Sequence, residues 1–199
     1  MSKNAMTALD VTICGLSELG LFRDAGLTHA VSILDAGFSR PVALDFCPMD
    51  NQLHLRFDDV IDDGPTPGGG PPEPAHIAEI LAFGRSLPND PPVRLLIHCF
   101  GGISRSTATA ILLLAQRDPG RDPGEIIAEV VRRRPQAWPN LRIIELGDEL
   151  LGRQGSLVAA VHRRYRVAAA TNPEFLEELR AEGRFRELDL LRGVTSDFE

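Results

Sequence analysis

The sequence predicts an α/β domain whose mostly parallel central sheet is flanked by helices, with further helices at the C-terminus. Three observations carry that expectation. Short apolar runs alternate with helical periods, a buried-type strand runs straight into a glycine loop and a helix, and a charged helical pattern closes the chain. Parallel strands need crossover connections, so both faces of the sheet are expected to be covered.

Residues 11–16 (VTICGL) form a short apolar run, and Ser17 with Glu18 can start a brief helix through Asp24. Residues 28–34 (THAVSIL) are a second strand candidate, and 51–57 (NQLHLRF) alternate apolar and polar as a third. The stretch 58–74 (DDVIDDGPTPGGGPPEP) is too rich in proline and glycine for regular structure and reads as a mobile loop. Apolar residues at 77, 80, 81 and 83 give a helical period over 75–87, followed by a buried strand at 93–97 and a helix over 106–116. Asp122-Pro123 opens a helix that runs to residue 134. One long amphipathic helix is expected over 141–161 and a charged one over 173–191. The 162–166 cluster HRRYR reads as a solvated helix end, with a partner patch as the alternative. The expected division is a domain over 1–165 and a helical extension over 166–199, packed on that domain or trailing it.

Composition narrows the function. A chain of 199 residues, 43% hydrophobic and 25% charged, can bury a core without disulfide or metal staples. Cys14, Cys47 and Cys99 are odd in number and form no CxxC pair, which disfavours a disulfide framework or structural zinc. The five histidines have no helical i, i+4 pair, and neither metal nor cofactor is expected. A net charge of −7 disfavours nucleic-acid binding. No apolar run approaches the roughly 18 residues of a membrane span, and MSKNAMTALD lacks the basic-then-apolar order of a secretory signal. Cytoplasmic residence is the expectation. Of 21 basic residues only Lys3 is a lysine, which with abundant alanine suggests a GC-rich bacterial coding sequence.

The chemistry concentrates in HCFGGISRST, residues 98–107. A chain turning from strand to helix has several backbone N–H groups without partners, and the helix dipole adds about half a positive charge there. Gly101 and Gly102 let the backbone aim those groups inward. Arg105 can fold back and grip two oxygens of a tetrahedral anion. The backbone from Phe100 through Gly101, Gly102, Ile103, Ser104 and Arg105 is therefore a candidate phosphate cradle. Cys99 sits at its base, where a positive field favours thiolate over thiol. Ser106 can donate a hydrogen bond to the sulfur. His98 is expected to face away from the pocket and hold the Cys99 backbone.

HCFGGISRS follows His-Cys-x5-Arg-Ser/Thr and resembles the cysteine-dependent protein tyrosine phosphatase superfamily, most of all its small dual-specificity and bacterial tyrosine-phosphatase-like members. The resemblance implies that Cys99 is a nucleophile forming a phosphocysteine, Arg105 stabilises the transferring phosphoryl group, and Ser106 assists breakdown of the intermediate. It implies a phosphorylated protein or small phosphoester as substrate. It also implies an aspartate general acid on a separate loop before the cysteine, where Asp58, Asp59, Asp62 and Asp63 all stand. Asp59 is favoured: with Phe57 facing the core, alternation turns 58 outward and 59 back toward the sheet end. Asp58 is next, then Asp62 and Asp63. The 64–74 segment is either a flap over the pocket or a surface insertion. Asn140, in Trp138-Pro139-Asn140, matches a residue that braces the loop in the small phosphatases and reads equally as a helix N-cap; Trp138 reads as packing. A rhodanese-like sulfurtransferase, an arsenate reductase, or a phospho-binding module with weak catalysis are the alternatives. The sequence carries no signal for oligomeric state.

Overall fold

The computed structural model describes residues 9–63 and 68–192; both ends of the chain and residues 64–67 lie outside the described residues. Four strands, β1 (Asp10–Gly15), β2 (His29–Leu34), β3 (Gln52–Arg56) and β4 (Arg94–Cys99), form a sheet of order β1-β4-β2-β3 in which every pairing is parallel. The apolar run ending at the cysteine is the inner strand β4, paired on both edges, and its last five residues are buried. Its register sets Gly15 opposite Cys99, so β1 and β4 end side by side.

Among the described residues, seven α-helices follow or connect the strands: α1 (Pro74–Ser86), α2 (Arg105–Arg117), α3 (Pro123–Arg133), α4 (Leu141–Leu150), α5 (Ser156–Thr171), α6 (Glu174–Ala181) and α7 (Phe185–Arg192). Val11, Ile13, Val31, Ile33, Leu95 and Ile97 project from one sheet face into the large core under these helices. Helix α2 is buried from Arg105 through Ala115, which its small and apolar residues allow on every side. The opposite face carries a smaller core around Cys14, Leu19, Ala30, Leu44 and Leu96. Short 3-10 turns at Leu16–Phe22, Val42–Leu44 and Met49–Asn51 lie in that region of the chain, so the helix expected after Ser17 is a 3-10 turn. No helix among the described residues is long and apolar enough to cross a membrane.

The C-terminal half departs from the expected pattern in three places. The long helix over 141–161 is two helices, because Gly152, Gln154 and Gly155 all take the left-handed conformation, with φ of 64°, 55° and 81°. The buried Asp148 carboxylate closes the break, accepting from the N–H groups of Gly155 (2.6 Å), Leu157 (2.8 Å) and Val158 (3.4 Å). The helix over 173–191 likewise splits at Gly183, whose φ is 73°. The cluster HRRYR is no solvated helix end but lies inside α5. Tyr165 is fully buried and stacks on Trp138 at 4.2 Å, while Arg164 donates to the carbonyls of Ala137 and Pro135. Charged neighbours hide a single inward position when the pattern is read from sequence.

Asp148→Ala leaves the first N–H groups of α5 without an acceptor and is expected to lower unfolding free energy by about 1–3 kcal/mol. Urea denaturation checks this; an unchanged midpoint would show that Asp148 does not hold the start of α5.

Candidate active site

The 98–107 segment leaves the carboxyl end of β4 and enters α2, the edge where parallel α/β sheets place their ligands. Every carbonyl of the turn is engaged on its outer side. His98 Nδ1 lies 3.3 Å from the Cys99 oxygen. Leu16 N–H donates to Phe100 (2.9 Å), and Arg134 donates to Gly101 through Nη2 and to Gly102 through Nε (both 3.0 Å). Trp138 N–H donates to Ile103 (3.0 Å) and Asn140 N–H to Ser104 (3.2 Å). Each trans peptide points its N–H opposite to its carbonyl, so outward oxygens turn the N–H groups of the loop toward its centre. Gly102 N–H shows the result directly, donating to Cys99 Sγ at 3.2 Å.

Only one of the two glycines is required by geometry. Gly102 has φ 69°, and a Cβ there would lie 2.5 Å from the Cys14–Gly15 peptide, whereas a Cβ on Gly101 meets nothing closer than Ile103 at 3.8 Å. The loop sits against the end of β1, held by Arg134, which also pairs with Glu18 (2.8 Å); Glu18 in turn accepts from Gly15 N–H at 2.6 Å. The hydrogen bond from Arg134 and then that from Gly15 hold the Glu18 carboxyl below the usual carboxylate range.

Cys99 is buried at the floor of a cleft of about 700 Å³. Ser106 Oγ lies 3.3 Å from its sulfur. His98 is turned out of the cleft, and burial pushes its pKa down to about 4, so the ring is neutral with the proton on Nδ1. Arg105, only 2% exposed, is drawn across the cleft: Nη1 donates to Asp35 Oδ1 (2.6 Å) and to the Phe57 carbonyl (2.7 Å). That anchoring leaves Nε buried without a hydrogen-bond partner, 3.6 Å from Asp59 Oδ2. An anion seated on the loop would complete it. Phe38 and Phe100, edge to face at 5.7 Å, stand at the mouth, and Phe175 and Leu179 of α6 line the other wall.

The four acidic candidates separate by their partners. Asp63 is exposed and pairs with Arg142, and Asp62 pairs with Arg186. Asp58 is buried rather than turned outward, its carboxylate accepting from Gly68 and Gly69 N–H (3.2 Å each) and so folding the loop back on itself. The described part of the 64–74 segment is fastened further by Arg142, which donates to the Pro72 carbonyl at 2.7 Å. Asp59 contacts the cradle, accepting from Ser104 Oγ (2.7 Å) and Asn140 Nδ2 (2.9 Å). Burial drives its carboxyl up, but Arg184, Arg105 and these two hydrogen bonds outweigh burial and hold it below the ordinary range. Asn140 Oδ1 accepts from Ile143 N–H at the start of α4, and its backbone N–H donates to the Ser104 carbonyl.

Four residues of this site escaped the sequence reading. Asp35 follows β2 at the carboxyl edge of the sheet, a position from which it could have been found. Glu18, Arg134 and Arg184 carry no local signal, since each reaches the loop from an element distant in sequence.

No protein-family model matches the chain, and no curated protein matches it. Solved structures do. Human DUSP28 superposes with a TM-score of 0.54 at 19% identity, over 74% of this chain and 96% of that one. PTP-2 phosphatase of Cydia pomonella gives 0.53 at 21%, over 71% and 86%. The Yvh1 phosphatase domain of Chaetomium thermophilum gives 0.50 at 20%, over 75% and 95%. The chain has the dual-specificity phosphatase fold. In this fold the 98–107 loop, the segments at 35–38 and 58–60, Trp138 and α6 line one cleft.

Gly102→Ala is expected to cost more than about 1 kcal/mol, through the left-handed backbone and the contact with β1, and Gly101→Ala no more than about 0.5 kcal/mol. Denaturant unfolding of both variants checks the contrast; equal costs would show that the loop does not lean on β1 at Gly102.

Proposed function

We propose that the protein is a phosphomonoesterase that hydrolyses phosphotyrosine or a related phosphoester of a protein or small molecule through a phosphocysteine intermediate. The observation that carries this reading is the cradle itself: a loop N–H donating to Cys99 Sγ and, lining the same cleft, an Arg105 Nε without a hydrogen-bond partner. A phosphoester dianion lies with its oxygens on the loop N–H groups and on Arg105. The Cys99 thiolate attacks phosphorus in line; the S–P bond forms as the ester P–O bond breaks, and the leaving oxygen takes the proton of Asp59. Water then attacks phosphorus and gives a proton to the Asp59 carboxylate. The S–P bond breaks, with Ser106 donating to the departing sulfur, 3.3 Å away.

The sulfurtransferase and arsenate-reductase readings are less well supported. A reductase needs a relay thiol. Cys14 is fully buried, with burial pushing its pKa up to about 12, and Cys47 donates to the Thr28 carbonyl on the smaller-core side.

Cys99→Ser is expected to abolish turnover of para-nitrophenyl phosphate while oxyanion binding persists; retained turnover sinks the mechanism. Asp59→Asn is expected to lower turnover by about 100-fold or more for esters with poor leaving groups and less for good ones. The same pattern in Asp58→Asn instead would move the acid to that residue.

A further inference from the structure

We infer that Arg184, in the turn between α6 and α7, is a positioning residue that holds Asp59 for proton transfer, which makes the C-terminal helices part of the catalytic device. The inference rests on the phosphomonoesterase reading. Arg184 is 3% exposed, and its guanidinium is fixed by a bidentate pair with Glu187: Nε to Oε2 at 2.8 Å and Nη2 to Oε1 at 2.7 Å. Glu187 is itself fully buried and immobilised by Trp138 Nε1 (2.7 Å), Leu141 N–H (3.1 Å) and Tyr165 Oη (3.1 Å). With two nitrogens committed, Nη1 is left facing the cleft. It donates to Ser104 Oγ at 3.0 Å and lies 3.5 Å from Asp59 Oδ1.

That geometry fixes a proton as well as a charge. A hydroxyl has one hydrogen; because Ser104 Oγ accepts from Arg184, its own hydrogen points to Asp59 Oδ1, 2.7 Å away. Oδ1 is thereby held by Ser104, Asn140 and Arg184, and Oδ2 is the edge turned toward Arg105. Two residues further on, Arg186 donates to the Ile61 carbonyl at 2.7 Å and pairs with Asp62 at 3.0 Å, so the same segment pins the acid loop twice.

The charged groups around Asp59 set the direction of the effect. Arg184 and Arg105 favour its carboxylate; Glu182, just after α6, opposes that, while Asp35 and Glu187 partly neutralise the two arginines. Cys99 lies on the cleft floor, and its thiolate would add to the opposition. A bound phosphate dianion takes Arg105 Nε and adds negative charge, which draws a proton onto Oδ2 while Arg184 keeps Oδ1 in place. Turnover falls with rising pH as Asp59 loses that proton. Arg184 lowers the proton affinity of Asp59, so its loss moves this alkaline limb upward.

The test is a carbon-13 titration of the Asp59 carboxyl together with the pH profile of kcat on phenyl phosphate. Both are run on the full chain as wild type, Arg184→Lys, and Arg184→Gln combined with Glu187→Gln, which removes both buried charges together. The double variant is expected to raise the titration midpoint of Asp59 and the alkaline limb by roughly one pH unit, and to lose about tenfold in kcat with KM little changed. The lysine variant keeps the charge without the bidentate fork, and is expected to hold the titration midpoint near wild type while losing part of kcat. A folded double variant with the wild-type titration and profile overturns the inference. So does a wild-type Asp59 that titrates at or above the usual carboxylate range, a result that needs no variant to fold. A wild type that hydrolyses no phosphoester refutes the phosphomonoesterase reading instead, and the titration then decides alone whether Arg184 and Asp59 are coupled.

Discussion

The outward hydrogen bonding of the 98–107 carbonyls is the constraint on which the site depends. A turn of this tightness can expose either face of its peptides to the cleft, and the choice is made behind the loop. Leu16, Arg134, Trp138 and Asn140 each claim an oxygen there. Those four donors come from the end of β1, the end of α3 and the entry to α4, so the polarity of the cleft floor is a property of the whole domain. The Ile103 and Ser104 carbonyls keep a second donor from Thr107 or Ala108, whereas those of Phe100, Gly101 and Gly102 depend on Leu16 and Arg134, whose release would free these peptides to rotate.

Charge in the cleft is arranged with the same economy. Two buried guanidiniums face one another across Asp59, yet each is tied elsewhere, Arg105 to Asp35 and Arg184 to Glu187. Arg184 is fully committed, while Arg105 keeps one N–H available. The difference matches their positions, one reaching from the 98–107 loop to Asp35 and the other joining the acid loop to Glu187 of α7. A buried carboxylate lacking these partners would be driven toward its neutral form.

Local patterns made the sheet and the loop legible. The VRLLI run, the alternation in NQLHLRF and the Cys-x5-Arg spacing report interactions between near neighbours or simple burial. The breaks at 152–155 and at Gly183 were hidden because amphipathic spacing continues across them, and only backbone sign separates one helix from two. Strand alternation favours Asp59 over Asp58, yet Asp58 is the more buried of the two, held by an acceptor role toward Gly68 and Gly69 that spacing does not encode. The supporting residues Glu18, Arg134 and Arg184 stand where a solvated face would be the ordinary reading. Their function exists only after distant elements are packed together.

The contacts that finish the cleft join residues far apart along the chain: 116 positions separate Glu18 from Arg134, and 125 separate Asp59 from Arg184. Closing such long loops costs more chain entropy than any helix turn nearby. The second contact also depends on the short helices α6 and α7, with less packing beneath them than β4 or α2 has. Local opening of α6 and α7 is therefore expected to undo the acid side of the cleft while the sheet and sulfur loop stay intact. The arrangement of Asp59 over the cleft would then be lost at a lower temperature than the fold.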